Sequence, residues 1–297
     1  MLPPRMPAFA GRKQSSTRDD DGSRGGPSAL LGARRRFGQN FLTDARAIRR
    51  IVDALAPLPS DNVLEIGPGR GALTEALLDA VPAIGAIEID RDLAAQLRDR
   101  YPTDRLRLIE RDVLEVAFDT LAQSAPLVIA GNLAYNISKP VAMKLVVERR
   151  AVSRAVLMFQ REVADRLTAS PGSSAYGPLS VLAGRAYRID RLFDLAPGAF
   201  RPRPKVVSTV TRWTRREDEA LPEALLSPLM AVLRAAFAHR RQTLQNNLRR
   251  ALPGGDAAAI HLLARAGVDG ALRAEAIAPE GFVALARLWP ASGSATI

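Results

Sequence analysis

The chain has 297 residues with 47% hydrophobic content, enough for a sizeable core, yet no apolar run approaches the roughly eighteen residues that cross a bilayer. Cysteine is absent and the histidines are His239 and His261 alone, which excludes disulfides, thiol nucleophiles and cysteine-built zinc sites; no metal is expected. The formal charge of +11 points to a polyanionic partner, nucleic acid above all; residues 1–36 carry +5 of it, so the remainder is basic as well.

Residues 1–34, rich in Pro, Gly, Ser and charge without apolar periodicity, are expected to form a disordered basic tail. Order is expected from RRRFGQNFLTDARAIRRIVDAL onward, where Asp44 can N-cap a helix with Ile48, Ile51, Val52 and Leu55 on one face. Short apolar runs then alternate with helices. They read NVLEIG, a helix from Ala72 to Ala80, AIGAIEID, a helix from Asp92 to Arg100, LRLIERD, LVIAGN, a helix from Lys139 to Glu148, and RAVLMFQ. Continuous apolar runs separated by amphipathic helices predict a parallel sheet covered on both faces, a doubly wound α/β domain over 35–213. RIDRLFDLA and VVSTVTRW read as later, antiparallel strands. After Trp213 the pattern is helical only, roughly 222–239, 241–251, 256–266 and 280–288, which predicts a separate small helical domain over 214–297.

VLEIGPGRGALTEALL places Gly67, Gly69 and Gly71 between strand and helix, where glycine permits positive φ and close approach of backbone to a ligand. The run also satisfies the loose dinucleotide pattern, so spacing alone leaves a nicotinamide cofactor and S-adenosyl-L-methionine equally open. Glu88, 21 residues after Gly67 at the end of the second strand, is placed to accept both hydroxyls of a ribose, which either cofactor carries. Asp112, closing LRLIERD, is placed to accept from an adenine exocyclic amine, with a helix N-cap as its alternative. GNLAYN, Gly131 to Asn136, then sets an amide, a small-residue backbone and a tyrosine at the end of the fourth strand.

This constellation resembles Rossmann-like S-adenosyl-L-methionine-dependent methyltransferases that act on the exocyclic amine of adenine. More closely, the ordered segments FGQNFL, EIGPGRGALT, IEID, GNLAYNIS, FQREVADRL, YGPLSVL, FRPRPKVVSTV and AFAHRRQTLQNNL are together similar to the KsgA/RsmA family of small-subunit rRNA adenine dimethyltransferases, from about Arg35 to the end of the chain. The resemblance implies an enzyme that dimethylates N6 of two adjacent adenosines in the 3′-terminal hairpin of 16S rRNA. It further implies a cytoplasmic monomer that acts on an assembling small ribosomal subunit and has no membrane partner. By the same resemblance, Asn40, Leu42, Gly67, Glu88, Asp112 and Asn132 bind the cofactor, with Gln39 in the segment that folds over it. Asn132, Leu133 and Tyr135 hold the target base, and Phe200 lies near that base, a core position being its alternative.

The chemistry suits these residue types. N6 of adenine is a poor nucleophile because its lone pair is delocalised into the ring. If the Asn132 side-chain oxygen and the Leu133 carbonyl accept its two protons, the nitrogen is turned toward tetrahedral geometry, and orientation supplies several kcal/mol without a strong base. Tyr135 can stack on a base exposed for reaction. The family motif reads Asn-Leu-Pro-Tyr; here Ala134 replaces the proline, at a cost of about 1 kcal/mol through greater unfolded-state freedom. In AFAHRRQTLQNNLRR, His239, Arg240, Arg241, Arg249 and Arg250 lie on or beside one helix and suit RNA phosphates, with a solvated basic face as the alternative. Arg161 and Arg166 extend that surface or pair with Glu162 or Asp165.

Other readings stay open. Erm-like large-subunit rRNA methyltransferases and DNA adenine methyltransferases are the closest, although YNIS and RRQTLQNNL favour the KsgA-like one and no DNA-reading domain is evident. A methyltransferase fold kept as an RNA-binding assembly or transcription factor is opposed by the intact Asn132 and Tyr135. A nicotinamide dehydrogenase would lack its usual proton donor.

Overall fold

A computed structural model describes residues 39–217 and 221–290; the tail expected over 1–34 lies outside the described residues. The first part of the chain runs β1 (Phe41–Leu42), α1 (Ala45–Leu55), β2 (Asn62–Ile66), α2 (Ala72–Ala80), β3 (Ile84–Glu88), α3 (Arg91–Arg100), β4 (Leu106–Glu110), β5 (Leu127–Asn132) and α4 (Ser138–Val147). It continues through β6 (Val152–Gln160), α5 (Arg161–Leu167), α6 (Pro178–Ala186), β7 (Tyr187–Leu195), β8 (Phe200–Arg201) and β9 (Ser208–Arg215). The last part holds α7 (Glu223–Ala236), α8 (Leu244–Ala251), α9 (Gly255–Ala266) and α10 (Pro279–Leu288).

A seven-stranded sheet has the order β4-β3-β2-β5-β6-β9-β7. The strands from β4 to β6 are parallel and β9 is antiparallel to both its neighbours, as the apolar runs predict. The direction of winding reverses between β2 and β5, and in such sheets the crevice beyond the strand ends at that point is where ligands bind. The insertion of β9 between β6 and β7 has no local signal, because strand order follows from which partner completes the sheet and not from a strand's own pattern.

Strand alternation builds two cores. Val63, Val128, Val156 and Met158 face one side and pack with Ile48, Ile51, Leu73, Leu77 and Leu97 from α1, α2 and α3. Leu64, Ile129 and Leu157, one residue along each strand, face the other side and pack with α4 and α6. That second core runs on without a break into Leu229, Leu233, Leu248, Leu263 and Phe282 of the C-terminal helices. Arg149, 6% exposed just after α4, fastens the same junction. Its Nε donates to the Leu221 carbonyl at 3.0 Å and its Nη2 to Glu223 at 2.9 Å.

Local signals explain most element ends. Asp44 caps α1 as expected, its Oδ1 accepting from the Arg46 and Ala47 amides. At the other end of α1, Ala56 sits at φ +46°, left-handed backbone that costs a residue with a Cβ about 1–2 kcal/mol. Ala56→Gly is therefore expected to raise unfolding stability by about 0.5–1 kcal/mol, read as a higher urea midpoint at unchanged slope. The helices expected over 222–239 and 241–251 are shorter: α7 stops at Ala236 and α8 starts at Leu244. The cause is Asn247, 2% exposed, whose Nδ2 donates to the Ala236 and His239 carbonyls while its Oδ1 accepts from the His239 amide. The connection carrying Arg240 and Arg241 is thereby held as a turn. α5 and α6 are too short, or too closely bounded by Gly and Pro, to show a period.

Candidate active site at the switch between β2 and β5

A cavity of about 340 Å³ opens at the carboxyl ends of β2, β3, β4 and β5. Its floor is the turn after β2, in which Gly67, Gly69 and Gly71 have φ of +69°, +58° and +83°. At Gly69 a Cβ would also stand 2.9 Å from the Phe41 ring, so glycine is required both for its backbone and for space. The buried Gly69 amide points at Glu88, and the Glu88 carboxylate, 4% exposed, accepts from it at 3.0 Å and from the Asp90 amide at 2.9 Å. Burial pushes the Glu88 carboxyl above its ordinary pKa, while these two N–H donors pull it back. One lone pair on each oxygen is left for a ligand, which suits a diol.

The segment before α1 closes over that turn. β1 pairs with β8 (Phe41 with Arg201, Leu42 with Phe200), and the Arg70 guanidinium lies 4.7 Å over the Phe41 ring. Gln39 donates to Asp90 at 3.1 Å. Asn40, Phe41 and Leu42 all line the cavity. Asp112 lines it too, two residues past the end of β4, and its Oδ1 accepts from the Leu114 amide at 2.9 Å. Asp112 therefore caps its own turn with one oxygen, and its carboxylate keeps acceptor capacity for a ligand.

The most informative contact is made by Asn132. Its Nδ2 donates to the Asn40 carbonyl at 2.8 Å. A carbonyl can only accept, so the amide cannot be turned the other way, and Oδ1 is the group left to accept from a bound ligand. Leu133 is 2% exposed, with its side chain in the core, so what it can offer the cavity is backbone. Ala134 closes the following turn through its carbonyl, which accepts from the Ile137 amide at 3.1 Å and from the Ser138 hydroxyl at 3.1 Å. Both bonds use the carbonyl of residue 134, which a proline would offer equally, so what alanine lacks there is the ring's fixed φ alone. Tyr135 is half-buried, and its hydroxyl lies 3.2 Å from Ser208 Oγ on β9. Burial raises the pKa of this phenol, so the ring is neutral at physiological pH.

The structure thus brings Asn40, Leu42, Gly67, Glu88, Asp112, Asn132, Leu133 and Tyr135 to one cavity. It places Phe200 elsewhere. Phe200 is 1% exposed and packs with Leu42, Leu195 and Val210, so it takes the core position named as its alternative. The basic residues also lie outside the cavity. Arg240 lines a larger cleft of about 860 Å³ together with Lys139, Tyr176, Val206 and Phe237, and donates to the Ser174 and Tyr176 carbonyls. Arg241 and Arg249 are exposed, on the turn before α8 and on α8 itself. Arg161 and Arg166 pair with Asp194 and Glu162. Sequence reasoning missed Glu65, Phe41, Arg70 and Ser208. For Glu65 a signal existed, an acid inside the apolar run VLEIG.

The cavity fits S-adenosyl-L-methionine by its donor set. Asp112, Glu88 and Asn132 stand at the ends of β4, β3 and β5 in the order of the sheet, with the glycine turn of β2 between the last two.

The ribosomal RNA adenine dimethylase family matches residues 31–288. The chain is 44% identical over 256 residues to ribosomal RNA small subunit methyltransferase A of Aromatoleum aromaticum, covering 85% of this chain and 92% of that protein. It is also 44% identical over 262 residues to the protein of the same description from Bordetella bronchiseptica, covering 88% and 96%. Among solved structures, a dimethyladenosine transferase from Plasmodium falciparum shares the fold at a TM-score of 0.71 and 24% identity, covering 82% of this chain and 95% of that one. The 23S rRNA methyltransferase ErmE superposes at a TM-score of 0.65 and 26% identity, covering 84% and 99%. With the match extending over nearly all the described residues, this chain belongs to the ribosomal RNA adenine dimethylase family.

Proposed function

We propose that the chain transfers methyl groups from S-adenosyl-L-methionine to N6 of two adjacent adenosines in the 3′-terminal hairpin of 16S rRNA, dimethylating each during assembly of the small ribosomal subunit. It acts in the cytoplasm as a monomer; among the described residues no helix is long and apolar enough to cross a membrane. The observation that carries the reading is the fixed Asn132 amide, whose free Oδ1 lies in the same cavity as Glu88 and Asp112. The name shared by the most similar relatives supports the small subunit as the target.

S-adenosyl-L-methionine supplies a methyl group on a sulfonium. The chain's own residues do the rest. Asp112 accepts from the cofactor's adenine amine, Glu88 holds its ribose, and Asn40, Leu42 and the Gly67 turn enclose it. In the first transfer Asn132 Oδ1 and the Leu133 carbonyl accept hydrogen bonds from the two N6 protons of the target adenine, freeing its lone pair from the ring and aiming it along one line. One of these protons leaves to solvent as the nitrogen gains the methyl. In the second transfer the one remaining N–H is held in the same way and leaves in its turn. The Tyr135 ring stacks on the extruded base, held in place by the Ser208 contact. Arg240 and Arg241, on the turn between α7 and α8, and Arg249, on α8, contact RNA phosphates and set the register of the strand.

The test is mass spectrometry of RNA nucleosides after incubation with S-adenosyl-L-methionine and either unmethylated small subunits or protein-free large-subunit rRNA. N6,N6-dimethyladenosine in the small-subunit sample alone is expected. Methylation of the large-subunit RNA alone overturns the proposed target and moves the chain to the Erm-like activity.

A further inference from the structure

Along α5 and β7 the arginines are matched by acids: Arg161 by Asp194, Arg166 by Glu162 and Arg191 by Asp165. On α1 and between β8 and β9 they are not. Arg46, Arg49 and Arg50 are exposed on α1, and Arg201, Arg203 and Lys205 are exposed from β8 onward. Arg50 lies 3.5 Å over the Phe193 ring, and Arg201 donates to the Gly198 and Phe200 carbonyls. None of the six makes an ion pair among the described residues. Acids are scarce around them. Asp44 is taken up in capping α1, Asp53 is exposed on the same face of α1 as the three arginines, and residues 196–207 contain no acid. Like charges three and four residues apart on a helix repel each other, a cost that a polyanion laid along them reverses.

The two basic segments are joined to each other and to the catalytic cavity. Thr43, just before α1, donates to the Ala199 carbonyl from its amide at 2.8 Å and from its hydroxyl at 3.2 Å. Arg201 is the register partner of Phe41, which lines the cavity. The loop from 202 to 207 then follows the rim. Its Val206 and Val207 line the cleft of about 860 Å³ that also holds Arg240, and the next residue, Ser208, touches Tyr135. Pro202 and Pro204 fix two φ angles of this loop, so Arg203 and Lys205 are presented on stiffened backbone. α1 belongs to the core on one face of the sheet, whereas α8, which carries Arg249, belongs to the core on the other.

We propose that α1 and the β8–β9 segment form a second phosphate-binding surface, holding the RNA that flanks the target adenosines on the face of the sheet opposite Arg249. This rests on the reading of the chain as an RNA methyltransferase and adds a path for its substrate. The RNA passes from the turn before α8, across the strand ends that carry the catalytic cavity, and on to α1. A lipid surface suits these residues less well, because Ile48, Ile51 and Leu55 are buried in the core and leave α1 no apolar face to insert.

The experiment is co-sedimentation of the full chain with unmethylated small subunits at fixed magnesium, between about 50 and 200 mM potassium chloride. One variant is Arg46→Gln/Arg49→Gln on α1 and another is Arg203→Gln/Lys205→Gln in the loop. All four side chains are exposed and without an ion pair, so both variants are expected to fold. Arg107→Gln/Arg265→Gln removes the same charge from the edge strand β4 and from α9 as a control. Each test pair is expected to lower the slope of log affinity against log salt by about 1.4–1.8, which is about 0.7–0.9 for each lost phosphate contact. Affinity near 0.1 M salt should weaken about tenfold or more, with single-turnover methylation at saturating subunits unchanged and the control pair at the wild-type slope. Equal weakening in the control would reduce the effect to net charge and overturn the surface, as would wild-type slopes in both test pairs. A test pair that loses binding to phosphatidylserine vesicles while keeping its slope on subunits would give the surface to a membrane instead. Absence of subunit binding by the wild type would overturn the RNA reading itself.

Discussion

Replacing Asn132 by alanine is expected to reduce methyl transfer by about 10²–10³-fold or more, the loss seen when one preorganised polar group is removed from a reacting centre. RNA affinity should stay within about threefold, because phosphate contacts made elsewhere dominate it. The folded state loses one bond, from Asn132 Nδ2 to the Asn40 carbonyl, at a cost of about 1 kcal/mol. Asn132→Asp separates two roles. Its second oxygen would stand against the Asn40 carbonyl, acceptor facing acceptor, so the covering segment should loosen and cofactor affinity should fall as well as turnover. Single-turnover methylation together with filter-binding of the RNA checks both variants. Unchanged turnover in Asn132→Ala would mean that N6 is not held by this side chain.

Gly131→Ala is the change expected to harm the fold of the site most. A Cβ there would lie 2.9 Å from the Ile66 carbonyl and 3.3 Å from a Leu157 methyl. Ile66 and Gly131 are register partners at the exit of β2 and β5, so relief must come from moving backbone. Overpacking of this kind costs about 1–3 kcal/mol. The melting temperature should drop roughly 2–4 °C for each kcal/mol lost. Because the glycine turn starts one residue after Ile66 and Asn132 follows Gly131, cofactor affinity should fall with stability. Thermal unfolding with and without ligand reads both effects. A variant with unaltered melting temperature and full affinity would show that the strands have room to spare there.

The parallel strands were legible because a strand buried on both faces is a continuous apolar run, and the glycine turn was legible because its backbone leaves few other residues possible. Asn40, Glu88, Asp112 and Asn132 were placed by resemblance and by their positions at strand ends, and all four line one cavity. What stayed hidden depended on partners distant in the chain. Phe200 could serve a stack or a core equally well as a sequence letter; only its pairing opposite Leu42 decides for the core. Asn247 reads as an ordinary polar residue in a helix, and nothing local says that it closes the turn before it. Glu65 was passed over because a strand residue is judged first by its neighbours' hydrophobicity, although an unpaired acid in such a run is the anomaly worth following.

The unbroken core beneath α4, α6 and the C-terminal helices bears on how this protein could be recombined. A chimera joined at residue 214 would exchange the helical segment and the α7–α8 turn that carry Arg240, Arg241 and Arg249 but leave their apolar counterparts behind. Leu229 and Leu233 would meet a face shaped for other side chains, and Arg149 would lose its acceptor at Leu221. The transferable cassette is larger than the helical segment, because it must include the outer faces of α4 and α6. Since α4 begins six residues after Asn132, any graft that changes RNA preference also sets the seat of the residue that holds the base.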